Sequence, residues 1–356
     1  MASSSATKSP NLLIDTDAGV DDAIALFLAL GHSLRIGSPH NVSAITCSWG
    51  NTSLDNVVEN VRKIVSVACP AGKVHRPEIH RGDAFGLNGE TSDASYFHGK
   101  DGLGDACLDI PSSDLPSISP VSAVDAILYH SSLSTESNPL TIVTLGPLTT
   151  ISKVLTSSPN FFASHPHVSL VIMGGCGNQK GNASRVAEFN IVSDTQAAEH
   201  VFNEWIDRIT VVPWDLCVEY PLPWSSYDSL IGGIDNAKLP PSTKRGFLNR
   251  VCEKVYRKDN PGEVSKRSKE GAVICDALAV AVAIDKADPF SHQDTELVSE
   301  KERVNVEVCR GGICDGQTVV DWGVCYDGVE RKRDVDWVSK VNVGKFDAML
   351  RESLLG

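Results

Sequence analysis

The sequence predicts an α/β protein built on one open, mostly parallel sheet with helices on both faces. Short β-rich runs alternate with amphipathic or apolar helical stretches, the pattern left by strands joined through crossover helices. The chain has 356 residues, long enough to bury a large core, and α/β folds of this size often form one core, so a single large domain is expected. Polar and glycine-rich residues collect directly after several of the strand-like runs, where such sheets place their ligands.

Taken in order, MASSSATKSP (1 to 10) reads as a short disordered tail without the apolar stretch of a secretory signal, which leaves 11–356 as the domain. NLLID (11 to 15) is the first strand and Asp21 to Leu30 the helix after it. VSAITCS (42 to 48), LTIVTL (140 to 145), VSLVIM (168 to 173) and ITVVP (209 to 213) are the next strands. Leu54 to Ala68, Val121 to His130 and Asp194 to Trp205 are helical stretches between them. VNVEVC (304 to 309) and QTVVDW (317 to 322) read as extra C-terminal strands, completing a Rossmann-like architecture.

Composition narrows the function. The formal net charge is −13 and no Lys/Arg-rich block is present, which argues against nucleic acid or an anionic membrane surface as partner. A small molecule or a cation fits better. The apolar runs fall short of a membrane span. Ten scattered cysteines without a CxxC pair suit free thiols in a reducing, cytoplasmic setting.

The junction LLIDTDAGVDDAIALFLAL crowds Asp15, Asp17, Asp21 and Asp22 into an otherwise apolar run. Asp21 and Asp22 open a helix, where carboxylates answer the macrodipole and the free N–H groups, so capping would explain them. Capping does not explain Asp15 and Asp17. Carboxylates this close repel unless protons or a cation compensate them, and a hard divalent cation is the natural compensation. The pattern is not an EF-hand, because Gly19 falls at loop position 5 and Leu26 at position 12, where a bidentate Glu is needed. Nor is it the DxDx[TV] motif of haloacid-dehalogenase-like phosphatases, since Gly19 replaces the Thr/Val. A further ligand from a distant strand is needed, and Asp276 in VICDALAVAVAID is the candidate; a helix cap is its plainer role.

At this point DTDAGVDDA resembles the DxDxGxDDA signature of the inosine-uridine-type nucleoside hydrolases, which cleave the N-glycosidic bond of ribonucleosides with a bound calcium ion. SWGN (48 to 51), HGKDGLG (98 to 104), LGPLTT (145 to 150), MGG with GNASRVAEFN (173 to 190) and DALAV (276 to 280) match in the same order. The resemblance implies that Asp17, Asp22 and Asp276 coordinate Ca2+ with their side chains and Leu145 with its backbone carbonyl. It implies that Asp17 also serves as general base, with Asp15 as a supporting orienter. Asp21, Asn51, Asn182, Glu188 and Asn190 would hold the ribose, and Met173 and Phe189 would line the pocket. Relatives form dimers or tetramers, so a homodimer or homotetramer is the implied assembly.

The chemistry suits such residues. Breaking a ribosyl C–N bond builds positive charge on the sugar, which carboxylates and amide oxygens stabilise. The departure from the family pattern lies at the leaving base: where well-known members carry His, this chain has Cys275, a weaker acid than an imidazolium. Its plain reading is a small buried residue at a helix start. His98 matches a family His near the base and is the other candidate proton donor, and Tyr256 falls in a segment that borders the base in relatives. The remaining histidines, the Cys309/Cys314 pair of CRGGIC and the RKRD run near Arg331 have no constellation around them and read as structural or solvated. A metal-dependent phosphatase and a non-catalytic nucleoside or calcium binder are the alternative functions.

Overall fold

The computed structural model describes residues 10–35, 38, 41–106, 108–204, 208–232, 239–253, 255, 271–287, 296–323 and 335–355. Most of the expected tail, Tyr256 and the RKRD run lie outside the described residues. The strands in chain order are β1 (Asn11–Thr16), β2 (Asn41–Cys47), β3 (Glu78–Arg81), β4 (Ser119–Ser122), β5 (Leu140–Thr144), β6 (Val168–Met173), β7 (Ile209–Val212), β8 (Leu222–Pro223), β9 (Gly271–Ala272), β10 (Val298–Val308), β11 (Thr318–Asp321) and β12 (Val335–Val341). A 10-stranded sheet runs β11-β10-β12-β7-β6-β5-β1-β2-β3-β4, and β8 with β9 forms a separate pair. From β4 across to β12 every pairing is parallel, and β10 and β11 add antiparallel strands at the far edge.

Successive residues of β1 show how the sheet is covered on both sides. Leu12 and Ile14 join one buried cluster with helices α1 (Val20–Ser33), α2 (Leu54–Ala68) and Cys275–Ala287, while Leu13 points into a second cluster with α4 (Ala123–Ser132) and α5 (Thr149–Ser157). The helix between α2 and α4, α3 (Ser95–His98), is a single turn over the strand ends. Nearly all of α1 is buried, as its apolar composition all round requires.

The chain leaves β1 for β2, β3 and β4 on one side and returns to β5 on the other. The strand order therefore reverses at β1, and the loops after β1, β2, β5 and β6 converge on the crevice that this reversal opens. Among the described residues no helix is long and apolar enough to cross a membrane.

Most predicted strands and helices stand within a few residues of their expected limits. VNVEVC marks only the second half of β10, because the first half, VSEKER, is charged and largely exposed on a strand near the sheet edge. β3, β4 and β12 were not legible. β4 reads SPVS, four exposed or half-exposed residues containing a proline that only an edge strand tolerates.

Candidate active site

The site begins where β1 stops. Asp15 is the last β1 residue to pair on both sides, opposite Thr46 and Thr144. Its carboxylate accepts from Thr46 Oγ1 at 2.6 Å. Its second oxygen is buried without a partner of good geometry, beside a Thr150 hydroxyl that has none either. Burial pushes its pKa up to about 7, opposed by the two threonines. Asp15 thus sits at the end of β1, held by the neighbouring strand.

Asp17 and Asp22 are fully buried. Asn51 joins them: its backbone N–H donates to Asp17 Oδ2 at 2.9 Å, and its Nδ2 donates to Asp17 Oδ1 at 2.9 Å and Asp22 Oδ2 at 3.1 Å. Thr16 Oγ1 donates to Asp22 Oδ1, and the Gly19 N–H to Asp22 Oδ2 at 2.8 Å. Asp22 therefore does cap α1, and the capping role and a place in the acidic cluster coexist. The packing demands glycine nearby: a Cβ on Gly50 would lie 2.0 Å from Asp17 Oδ2, and one on Gly19 would lie 2.5 Å from Asn51 Nδ2.

Asp276 opens the helix Cys275–Ala287, which packs beside α1 on the same face of the sheet, and so meets the start of α1. One carboxylate oxygen from each of Asp21, Asp22 and Asp276 lies within 4.8 Å of the others. All the acids here resist ionisation. Burial raises Asp17 and Asp276 well above the ordinary carboxylate range, with neighbouring carboxylates adding to the effect, and raises Asp22 as well. Asp21 rises to about 7, from burial first and Asp22 second. An all-oxygen donor set whose charges are mutually unfavourable fits a hard divalent cation, which would restore the ionised forms.

Of the residues expected to bind metal or sugar or to act on the base, all but Asp17 and Asp22 line one cleft: Asp21, Asn51, His98, Leu145, Met173, Asn182, Glu188, Phe189, Asn190, Cys275 and Asp276. The two exceptions form its buried floor. Glu188 caps the short helix Phe189–Ser193, accepting from the backbone N–H groups of Asn190, Ile191 and Gly175 at 3.0, 3.2 and 3.1 Å. Burial still lifts its pKa to about 7. Asn190 Nδ2 donates to the Leu145 carbonyl at 2.8 Å and to that of Met173 at 3.1 Å, and the Phe189 N–H donates to Asn182 Oδ1 at 2.8 Å. The Leu145 carbonyl keeps a second lone pair.

A further wall of the cleft is formed by Tyr96, Phe97, His98, Trp214, Val273 and Cys275. His98 Nδ1 accepts from the Val20 N–H at 2.9 Å, so the neutral ring carries its proton on Nε2, and burial pulls its pKa down to about 3. The Cys275 thiol hydrogen-bonds with Cys217, and that contact together with burial holds its pKa far above the ordinary thiol value. Both groups are neutral at pH 7. Sequence reasoning missed Trp214, Tyr96 and Phe97 on this wall, although the last two directly precede His98 in the chain.

The chain matches the profile of the family described as inosine-uridine preferring nucleoside hydrolase over residues 12–348. The chain belongs to this family. It is 31% identical over 317 residues to the inosine-uridine preferring nucleoside hydrolase of Leishmania major, covering 87% of each chain. It is 36% identical over 198 residues to the pyrimidine-specific ribonucleoside hydrolase RihA of Salmonella schwarzengrund, covering 55% of this chain and 57% of that one. Its fold superposes on a solved inosine-guanosine nucleoside hydrolase with a TM-score of 0.78 and 27% identity, covering 98% and 99% of the two chains. As a nucleoside hydrolase it is an N-glycosyl hydrolase, in a metal-dependent family, and the buried acidic group is suited to that metal.

Proposed function

We propose that this nucleoside hydrolase is a calcium-dependent, cytoplasmic enzyme that splits ribonucleosides into free base and ribose through an oxocarbenium-like transition state. The observation that carries the reading is the buried acidic group of Asp21, Asp22 and Asp276, set at the floor of a cleft whose other polar residues are oxygen-rich. Among the described residues no Lys or Arg lines that cleft, which suits a sugar gaining positive charge and does not suit a phosphate. Calcium held by Asp17, Asp22, Asp276 and the Leu145 carbonyl would supply Lewis-acid polarisation of a water and balance the carboxylates.

The remaining work falls to the chain. Asp17, fixed through both oxygens by Asn51, takes a proton from the attacking water as general base. Because the Asn51 amide nitrogen is committed to Asp17 and Asp22, its Oδ1 is the atom left to receive a ribose hydroxyl. Asp21, Asn182, Glu188 and Asn190 complete the grip on the sugar, with Met173 and Phe189 against its apolar parts. His98 and Cys275 face the leaving base as neutral hydrogen-bond donors, His98 through Nε2–H and Cys275 through its thiol. Residues 11–356 act as one domain, since the main sheet draws strands from Asn11 to Val341.

A site built to bond ribose hydroxyls rejects sugars that lack them. The expected kcat/KM for 2'-deoxyinosine is at least about 10²-fold below that for inosine. Equal values for the two would overturn the assignment of the sugar-binding residues.

A further inference from the structure

Away from the cleft, β3 and the end of α4 bring together three residues that the reaction does not use. Glu78 and His80 are two apart on β3 and share a face, and His130 lies in the last turn of α4. One ligand atom from each of the three lies within 4.8 Å of the others. His80 is 2% exposed, and its Nε2 has no hydrogen-bond partner. The Nε2 of His130 is likewise buried and unpartnered.

The tautomer of His80 turns this from a packing detail into a site. Its Nδ1 lies 3.1 Å from the Val121 carbonyl, which can only accept, so Nδ1 carries the proton. In the neutral ring Nε2 is then a bare lone pair, 3.3 Å from Glu78 Oε2. Two acceptors at that distance repel unless a proton or a metal cation lies between them, and it is the third ligand atom, from His130, that suits a metal. A ligating histidine whose other nitrogen donates to a backbone carbonyl is the arrangement that orients imidazoles on metals. The Glu78–His80 spacing also suits: bonds of about 2.0–2.1 Å in tetrahedral geometry put neighbouring donor atoms about 3.3 Å apart.

We propose that Glu78, His80 and His130 form a second metal site, for a divalent transition-metal ion of the zinc class, which fastens β3 to the end of α4. Two imidazoles and one carboxylate with a fourth position for water make a borderline-soft donor set, unlike the all-oxygen group at the cleft. None of the three residues lines that cleft, so the site lies apart from the residues that face the substrate.

The full-length chain, with the carboxylate site first saturated by calcium, is titrated with Zn2+ and separately with Co2+, whose visible spectrum reports nitrogen ligation in a tetrahedral field. One equivalent of Zn2+ should bind per chain, Co2+ should give the tetrahedral spectrum, and ribose release should be unchanged. His130→Gln and Glu78→Gln, checked for folding by circular dichroism, should each weaken Zn2+ binding by at least about 100-fold. No uptake by the calcium-loaded chain, or equal uptake by the folded variants, would overturn the site and leave His80 and Glu78 as an ion pair alone.

Discussion

The floor of the cleft and its aromatic wall are built on opposite principles. The floor packs Asp17 and Asp22 at zero exposure, each fixed by several donors, with the backbone of Gly50 and Gly146 pressed against Asp17. The wall holds aromatic rings, a neutral imidazole and a neutral thiol. Charge that must stay put while a cationic sugar forms needs rigid support, because electrostatic stabilisation works only when its dipoles are already in place. A leaving base needs mainly a surface to lie against and a hydrogen bond. The two halves should therefore differ sharply in their tolerance of substitution.

The largest effect is expected at the floor. Asp17→Ala removes the proposed general base, and kcat should fall by about 10²- to 10⁴-fold or more with the fold intact by circular dichroism. Gly50→Ala should come next. Its new Cβ would sit 2.0 Å from Asp17 Oδ2, and the displaced carboxylate should cost about 10²-fold in kcat/KM. An unimpaired Gly50→Ala enzyme would show the floor to be far more pliable than its packing implies.

The pH dependence of stability separates the halves in another way. Asp15 and Asp21 rise from 3.8 to about 7 and Glu188 from 4.5 to about 7 on folding, burial being the first cause in each. Between about pH 4 and pH 7 the folded chain then holds more protons than the unfolded one, so stability falls as pH rises through that window. For the calcium-free chain, Tm at pH 8 should be roughly 5 °C or more below that at pH 6. Added calcium should close that gap, since it binds the deprotonated carboxylates. A calcium-free chain more stable at pH 8 would mean that the floor carries its charges without strain.

The smallest effect belongs to the wall. Cys275→Ser keeps a neutral hydroxyl donor where a weakly acidic thiol stood, and kcat should change by less than about tenfold. A loss of about 10²- to 10⁴-fold would instead make Cys275 a true general acid.

The same contrast governs what the sequence disclosed. The floor was legible because its residues are contiguous: Asp15 to Asp22 occupy one strand–helix junction, and the spacing carries the chemistry. Asp276 was legible as a carboxylate opening an apolar helix. The sheet was legible wherever strands are buried on both faces, as β1, β5 and β6 are. Trp214 and Val273 were not, because they reach the cleft from separate segments and look like ordinary core residues. The Thr16 and Thr46 hydroxyls that hold the carboxylates escaped for a similar reason, since threonine is common in strands and its partner is chosen only on folding. His80 and His130, 50 positions apart, become neighbours only once α4 packs beside β3.

The central claim is that the buried carboxylates work by holding one cation. Its most direct test is ribose release from inosine by the chelator-treated chain as calcium is added back. Activity should be absent without calcium and return to the untreated rate as one calcium per chain is bound, whereas Asp276→Asn should require far more calcium. Full ribose release in excess chelator, by a chain shown to contain no metal, would contradict the account.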